Sequence, residues 1–174
     1  MSHSEGRRFP VLFVVAIAVG ALVLGGLAVS RLGDTGEVGD KAELSVSVSF
    51  PTTAAPGDVA TAAITVTNSG SADVKALFVS FSLVGGGGEA GVVEPLVEAV
   101  AGEQPSIVAV RPPPDATGGG MRYGFGRLAA GDSTTVEFDL RVPESPGTAS
   151  NSVQVYDGSD PDVATGARLT TEVG

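Results

Sequence analysis

The sequence predicts an all-β domain that follows a single transmembrane helix. Residues 11–29 form an uninterrupted apolar run near the N-terminus. From residue 43 onward, short segments alternate apolar and polar residues, which is the period of a half-buried strand, and turn residues separate these segments. The 174-residue chain leaves about 130 residues beyond the helix and a linker, enough for one domain with one core.

The apolar run, VLFVVAIAVGALVLGGLAV, contains no charged, amide or hydroxyl side chain. At about 1.5 Å per residue, a helix over Val11–Val29 spans the roughly 30 Å hydrocarbon core of a bilayer. Arg7 and Arg8 precede the run, so the positive-inside rule keeps residues 1–10 in the cytoplasm as a short tail. We expect a single-pass protein of the cell membrane, with residues 30–42 as a linker and residues 43–174 as an extracytoplasmic domain.

Two alternative fates of the N-terminal segment stay open. Ala28 and Ser30 are small residues in the positions of a signal-peptidase site, so removal of the leader would give a secreted domain. The apolar run is longer than the roughly 7–15-residue core of a signal peptide, which favours a retained anchor. In a pilin-like filament subunit the apolar helix would pack in a fibre core, but the sequence has neither a prepilin processing motif nor the early glutamate of such helices.

Composition argues against several functional classes. Twenty acidic residues against ten basic ones give a formal net charge of −10, so the chain should repel nucleic acid. Without cysteine, the domain has no disulfide and no thiolate for catalysis or soft metals. The one histidine, His3, lies in the predicted cytoplasmic tail. No nucleophile with its base, catalytic carboxylate pair or metal triad can be assembled, so we expect no enzymatic activity.

Four segments carry the clearest strand pattern. ELSVSVSF at residues 43–50 places apolar side chains on one face and serines on the other, and VATAAITVTN at 59–68 repeats the alternation with threonines. VKALFVSFSL at 74–83 and STTVEFDLRV at 133–142 follow the same rule. The predicted inward residues are Leu44, Val46, Val48 and Phe50; Ala62, Ile64 and Val66; Leu77, Val79, Phe81 and Leu83; and Val136, Phe138, Leu140 and Val142.

Shorter segments complete the predicted sandwich. MRYGFGRL at 121–128, TASNSVQVYD at 148–157 and ARLTTEV at 167–173 each predict a strand. Residues 91–120 predict one or two edge strands within loops, because Pro95 is incompatible with a central strand. About seven to nine short strands at roughly 8–12-residue spacing indicate an Ig-like Greek-key β-sandwich.

Two stretches also carry the motifs of a known family. In GDVATAAITVTNSG, at residues 57–70, a glycine precedes a Thr/Val-rich strand that ends in Asn-x-Gly; GRLAAGDSTTVEFDLRV is followed by GTASNSV and DGSDPD. Over residues 43–165 this pattern resembles the DUF11 domain, a surface repeat of bacteria and archaea, and sandwiches of the CARDB type would share its first half. The matching positions in the second half are Gly126, Leu128, Gly131, Asp132, Ser133, Thr148, Asn151, Asp160, Pro161 and Asp162. The resemblance implies an immunoglobulin-like surface module without catalytic activity.

An acidic motif near the C-terminus has two interpretations. Asp157, Asp160 and Asp162 lie close together on a predicted loop, and Asp73 or Asp132 would join them if loops from one end of the sandwich converge. Carboxylates at such spacing bind calcium through oxygen, although this motif departs from the EF-hand loop and lacks its glutamate. The alternative is an exposed turn in which the aspartates cap backbone groups. No other cofactor is predicted.

The predicted function is contact with a partner. Tyr123, Phe125 and Tyr156 form either an aromatic binding patch or, for the first two, part of the core or its rim. The sequence therefore predicts a membrane-anchored cell-envelope protein that presents an Ig-like sandwich for structural or protein-interaction roles. Its expected partners are the membrane, through residues 11–29, and an envelope protein or polymer whose identity the sequence leaves open.

Overall fold

Strands and turns make up the part of the chain that the computed structural model describes, namely residues 40–83, 93–98, 106–118 and 121–174. All of these residues belong to one unit, Val38–Gly174. Within these ranges no helix has the length and hydropathy needed to cross a bilayer. The predicted tail, the predicted transmembrane helix at residues 11–29 and most of the linker lie outside the described residues and stay predictions.

Eleven strands are described in these ranges, and they form two sheets. In chain order they are β1 (Leu44–Ser49), β2 (Thr53–Ala54), β3 (Val59–Asn68), β4 (Leu77–Leu83), β5 (Val93–Glu94), β6 (Ile107–Arg111), β7 (Ala116–Gly118), β8 (Arg122–Gly124), β9 (Ser133–Arg141), β10 (Gly147–Asp157) and β11 (Asp160–Val173).

The first sheet has four antiparallel strands in the order β1-β3-β9-β6. Its register places Val46 opposite Val66, and Ile64 opposite both Val48 and Val136. Because residues opposite each other in adjacent strands share a face, these apolar side chains all point to the same side of the sheet. The serines of β1 and the threonines of β3 therefore occupy the other side.

The second sheet has the order β2-β11-β10-β4-β8-β7. A long hairpin joins β10 to β11, and β4 pairs antiparallel with the other edge of β10. Two very short strands add parallel pairs: β2 pairs with the end of β11, and β5 pairs with the start of β10. The chain therefore crosses repeatedly between the two sheets, although β10 and β11, like β7 and β8, are neighbours within the second sheet.

The connectivity is that of an immunoglobulin-like Greek key. The order β1-β3-β9-β6 opposite β11-β10-β4 reproduces the ABED and GFC sheets of a constant-type immunoglobulin domain. The hairpin of β7 and β8 is an addition, since it follows β6 in the chain and extends the second sheet at the free edge of β4. The predicted all-β sandwich is therefore confirmed for the described residues.

The core lies between the two sheets and is centred on Phe138, which is fully buried. Its ring packs edge-to-face against Phe81 at 4.9 Å, Tyr123 at 5.2 Å and Phe125 at 6.3 Å, the geometry that aromatic quadrupoles prefer. The predicted inward residues of β3 and β9 are all buried, and those of β1 are half-buried because β1 is an edge strand. The alternation in the sequence thus correctly identified the faces of these strands.

Several details of the prediction are wrong. Leu83, predicted inward, is 55% exposed because it is the last residue of β4. The last strand begins at Asp160 and not at Ala167, since a tight turn lets β11 pair with nearly the whole of β10. The described parts of the central region, residues 93–98 and 106–118, already contain three short strands, β5, β6 and β7, where one or two were expected. Of residues 121–128 only Arg122–Gly124 form a strand.

Candidate functional site

Asn68, the asparagine of the Asn-x-Gly motif, is a fully buried structural residue. Its Oδ1 accepts hydrogen bonds from the backbone N–H groups of Glu43 and Gly70, both at 3.2 Å. Its Nδ2 donates to the carbonyl oxygens of Ala72 at 2.8 Å and Ala129 at 3.2 Å. One amide therefore joins three separate loops at one end of the sandwich, and no part of it is available to a ligand.

Asn151, the asparagine of the second motif, plays the same role elsewhere. It is fully buried, and its Oδ1 accepts a hydrogen bond from the N–H of Val97 at 2.8 Å. Its Nδ2 donates to the carbonyl oxygens of Val97 at 3.0 Å and Ser82 at 3.2 Å. The amide thus attaches the segment 93–98, with its buried Leu96, to the second sheet.

Asp157, the first of the predicted calcium ligands, is 3% exposed and caps the turn between β10 and β11. Its carboxylate accepts hydrogen bonds from the backbone N–H groups of Lys75, Ala76 and Ser159 and from the Ser159 hydroxyl, at 2.8–3.2 Å. Burial alone raises the pKa of Asp157, but these four donors outweigh it and hold the pKa below its usual value. The side chain therefore connects the hairpin turn to the start of β4.

The other predicted calcium ligands are only partly brought together. Asp73, Asp157 and Asp160 line one surface cavity of about 270 Å³, whereas Asp162 lines a neighbouring groove beside β1 and Asp132 precedes β9. Asp160 accepts a hydrogen bond from the N–H of Asp162 at 3.1 Å, as in an Asx turn. Among the described residues no three acidic or histidine side chains are grouped to hold a metal ion. Calcium binding stays a prediction.

The outer face of the first sheet is occupied by its own hydrogen bonds. Arg111 of β6 makes a bidentate pair with Asp139 at 2.6 and 2.8 Å and a further bond to Glu137 at 3.1 Å. Hydrogen bonds from Arg111 lower the pKa of Asp139 to about 2. Side-chain pairs between β3 and β9 complete this surface: Thr61 with Asp139, Thr65 with Thr135, and Thr67 with Ser133. The polar groups here are largely satisfied within the protein.

The outer face of the second sheet carries an aromatic pair on a glycine support. Tyr156 of β10 stacks on Phe78 of β4, with ring centroids 5.6 Å apart and an interplanar angle of 14°. Gly124 and Gly158 flank the Phe78 ring so closely that a Cβ at either position would lie 3.0 Å or 2.6 Å from ring carbons. Because Gly124 and Gly158 have no side chain, there is room beside them for the Phe78 ring, on which Tyr156 stacks.

Beside this aromatic pair lies a groove of about 430 Å³. The Cζ of Arg122 lies 5.9 Å from the centroid of the Tyr156 ring, within the range of a cation–π contact. Further polar residues of the groove are Ser80, Gln154 and Thr165. Within the described part of the chain, the side chains of Ser80, Arg122 and Gln154 make no hydrogen bond, so they are free to bind a partner. We call this surface, the outward side of β4, β8, β10 and β11, the aromatic face.

The three predicted aromatic residues have two different roles. Tyr123 is 8% exposed and packs on Phe138, and burial raises the pKa of its phenol. Phe125 packs against the same core residue. Only Tyr156 belongs to the aromatic face. Its stacking partner there, Phe78, is not among the residues that the sequence predicts for the core or for a binding site. The outward direction of Phe78 follows from its position in the strand, because it lies between the inward residues Leu77 and Val79.

Comparisons with known proteins show likeness in fold alone. No family model matches the sequence, and no curated protein matches it. The chain is similar to the CARDB domain of a Pyrococcus furiosus protein crystallised with di-metal ions, at 12% identity and a TM-score of 0.44, over 76% of this chain and 89% of that one. It is similar to PapD-like domain 7 of human CEP192, at 16% identity and a TM-score of 0.40, over 86% and 96%.

A β-glucosidase from Listeria innocua also matches, at 18% identity and a TM-score of 0.35. The match covers 76% of this chain but 16% of the glucosidase. The class of this protein is defined by its own strand order and not by these matches: the described residues form an immunoglobulin-like sandwich. The narrower resemblance to the DUF11 family stays a prediction.

Proposed function

We propose that this protein is a single-pass protein of the cell envelope that presents its sandwich outside the membrane and acts by binding a partner. The observation that carries the proposal is the contrast between the two sheets. The first sheet uses its outward polar groups internally, whereas the aromatic face offers Tyr156, Arg122 and Gln154 to the surroundings. An open sheet face of this kind is a site for contact and offers no group for bond chemistry.

Anchoring rests on the sequence. Residues 11–29 are long and apolar enough to span a bilayer, and Arg7 and Arg8 favour a cytoplasmic N-terminus. The resemblance to the DUF11 family agrees with a location at the cell surface. Calcium binding at Asp157, Asp160 and Asp162 is a secondary proposal, which melting of the protein with and without a chelator tests directly: a bound ion raises the melting temperature, and an unchanged midpoint refutes the site.

Topology is tested in intact cells. A protease added outside should degrade the C-terminal domain, and mass spectrometry of the native protein should find the N-terminal residues still attached. An N-terminus at Arg31 would indicate secretion after cleavage, and trimming next to the apolar run would indicate a pilin. A domain that stays protected from protease until the cells are lysed contradicts the proposed orientation.

Binding through the aromatic face is tested by site-specific photo-crosslinking in cells. A photoreactive residue placed at Gln154, in the centre of the face, should give covalent adducts. The matched control places it at Thr65, an outward position of the first sheet whose hydroxyl is paired with Thr135. Equal adduct formation at both positions, or none at Gln154, contradicts the proposal that this face is the contact surface.

A further inference from the structure

The centre of the aromatic face is basic in a strongly acidic protein. The chain has a formal net charge of −10, yet the outward charges in the middle of this face are Arg122 of β8 and Arg168 of β11. β4 and β8 contain no carboxylate, the carboxylate of Asp157 at the end of β10 is buried, and β11 has acidic residues only near its ends. The centre of the face is therefore complementary to an anionic partner.

The two arginines differ from Arg111 and Arg127, although Arg141 of the first sheet also has no ion pair within the described residues. Arg111 and Arg127 each form an ion pair, with Asp139 and Asp73 respectively. In the described ranges neither Arg122 nor Arg168 forms one: Arg122 lies over Tyr156, and the Nε of Arg168 donates to the hydroxyl of Ser150 at 2.9 Å. Both guanidinium groups thus keep donors with which to bind carboxylates.

The neighbouring side chains suit the hydroxyl groups of a sugar. The outward residues between the arginines are small and polar, namely Ser80, Ser82, Ser152 and Gln154. Hydroxyl and amide groups both donate and accept, as do the hydroxyl groups of a sugar. These four positions hold no large side chain, so the large side chains of the face are the Tyr156–Phe78 pair and the two arginines. Tyr156 stacks on Phe78 and lies beneath the Arg122 guanidinium, and the part of its ring that stays exposed offers an apolar contact to a pyranose.

The spacing of the arginines fits a polymer that reaches both of them. In the strand register, Arg122 of β8 lies opposite Ser80 of β4, and Arg168 of β11 lies opposite Ser152 of β10. Ser152 in turn lies opposite Ser82 of β4. Three strand spacings therefore separate the two arginines, about 14 Å across the sheet, with a further offset of about 7 Å along the strands. One monosaccharide cannot reach both, but a chain of several acidic sugars can.

We propose that the aromatic face binds an acidic polysaccharide, a polymer of carboxylate-bearing sugars. Arg122 and Arg168 pair with carboxylates on separate sugar residues, Gln154 and the serines between them bind ring hydroxyls, and Tyr156, beside Arg122, contacts a further sugar ring. This inference rests on the proposed binding function and specifies the partner class.

The test uses the full-length protein in neutral detergent micelles, with chelator present to prevent bridging by divalent cations. Its affinity is measured by calorimetry for polygalacturonate, for the methyl ester of the same polymer and for polyglutamate. We expect polygalacturonate to bind at least about tenfold more tightly than either of the others, and to weaken with added salt because the paired charges are screened. Equal affinity for the methyl ester removes the role of the carboxylates, and equal affinity for polyglutamate replaces the sugar with an acidic polypeptide.

Variants locate the site. Arg122→Gln combined with Arg168→Gln should weaken polygalacturonate binding by about tenfold or more, because two charged hydrogen-bonding groups are lost. The matched control, Lys41→Gln with Lys75→Gln, removes the same charge from exposed positions elsewhere and should change the affinity less than about twofold. Tyr156→Ala should weaken binding without changing its salt dependence.

Circular dichroism confirms that each variant is folded. A loss in the lysine control as large as in the arginine variant overturns the assignment of the site. If polygalacturonate fails to bind while crosslinks at Gln154 persist, the polysaccharide is wrong but the contact function stands. Failure of the topology experiment instead removes the proposed function itself.

Discussion

The replacement Asn151→Asp tests the buried amide with almost no change in shape. Its Oδ1 still accepts from Val97, but the two hydrogen bonds that Nδ2 donates, to the carbonyls of Val97 and Ser82, are replaced by contact between oxygens. Each lost bond contributes about 0.5–1.5 kcal/mol, and leaving buried acceptors unpaired costs about 1–3 kcal/mol more. We therefore expect the free energy of unfolding to fall by about 3–5 kcal/mol at neutral pH.

The pH dependence separates this mechanism from simple misfitting. Burial and the two facing carbonyl oxygens should raise the pKa of the introduced carboxyl above its unfolded value of about 3.9. The protonated form can again donate one hydrogen bond. Because the folded state then binds the proton more tightly, the penalty is smallest below the unfolded pKa and grows as the pH rises through the folded pKa.

Urea unfolding followed by circular dichroism measures the effect at several pH values. The matched control is Gln154→Glu, the same chemical change at an exposed position of the same strand, which should stay within about 0.5 kcal/mol of the parent protein. Hydrogen exchange of the segment 93–98 should accelerate in the Asn151 variant alone. A penalty below about 1 kcal/mol, or one independent of pH, would refute the reasoning.

Three further predictions concern single side chains. The buried Thr171 hydroxyl has no hydrogen-bond partner within the described residues, so Thr171→Val should raise the free energy of unfolding by about 1 kcal/mol. The contrasting variant Ser150→Ala removes a buried hydroxyl that is hydrogen-bonded and should lower the free energy of unfolding by about 1–2 kcal/mol. Urea unfolding measures both. Because the pKa of Asp157 is lower in the folded state, its carboxylate stabilises the fold above the unfolded pKa, and this stabilisation is lost as the pH falls through the folded pKa. The variant Asp157→Asn should therefore be less stable than the parent protein at pH 7 and lose less stability in acid. Melting temperatures measured across pH test this. Gly131 has a φ of 80° with open space around it, so Gly131→Ala should cost about 1 kcal/mol in urea unfolding and Gly131→Asn less; equal costs would point to a clash and not to backbone conformation.

The strands most visible in the sequence are those with one apolar and one polar face. In β3 and β9, every residue that strict alternation predicted to point inward is buried, because the side-chain period of a strand is fixed by its backbone. The limits of β11 were missed because its first half is polar: Asp160, Pro161 and Asp162 have the composition of a turn, and only pairing with β10 makes them a strand.

The two asparagines of the family motifs show a second limit of prediction from the sequence. The sequence marked Asn68 and Asn151 by resemblance, but which groups they bind depends on loops that are distant in the chain. The same holds for the aromatic face. Alternation predicts that Phe78 and Tyr156 point away from the core, but only the register of β4 against β10 brings them together.

The sequence by itself determined the all-β class, the inward faces of the main strands and the acidic, cysteine-free character of the domain, because these depend on local periodicity and composition. Only the tertiary structure decided which strands share a sheet, which polar groups are consumed by internal hydrogen bonds, and that Arg122, Tyr156 and Arg168 share one face. Those outcomes depend on contacts between residues far apart in the chain, which local pattern does not encode.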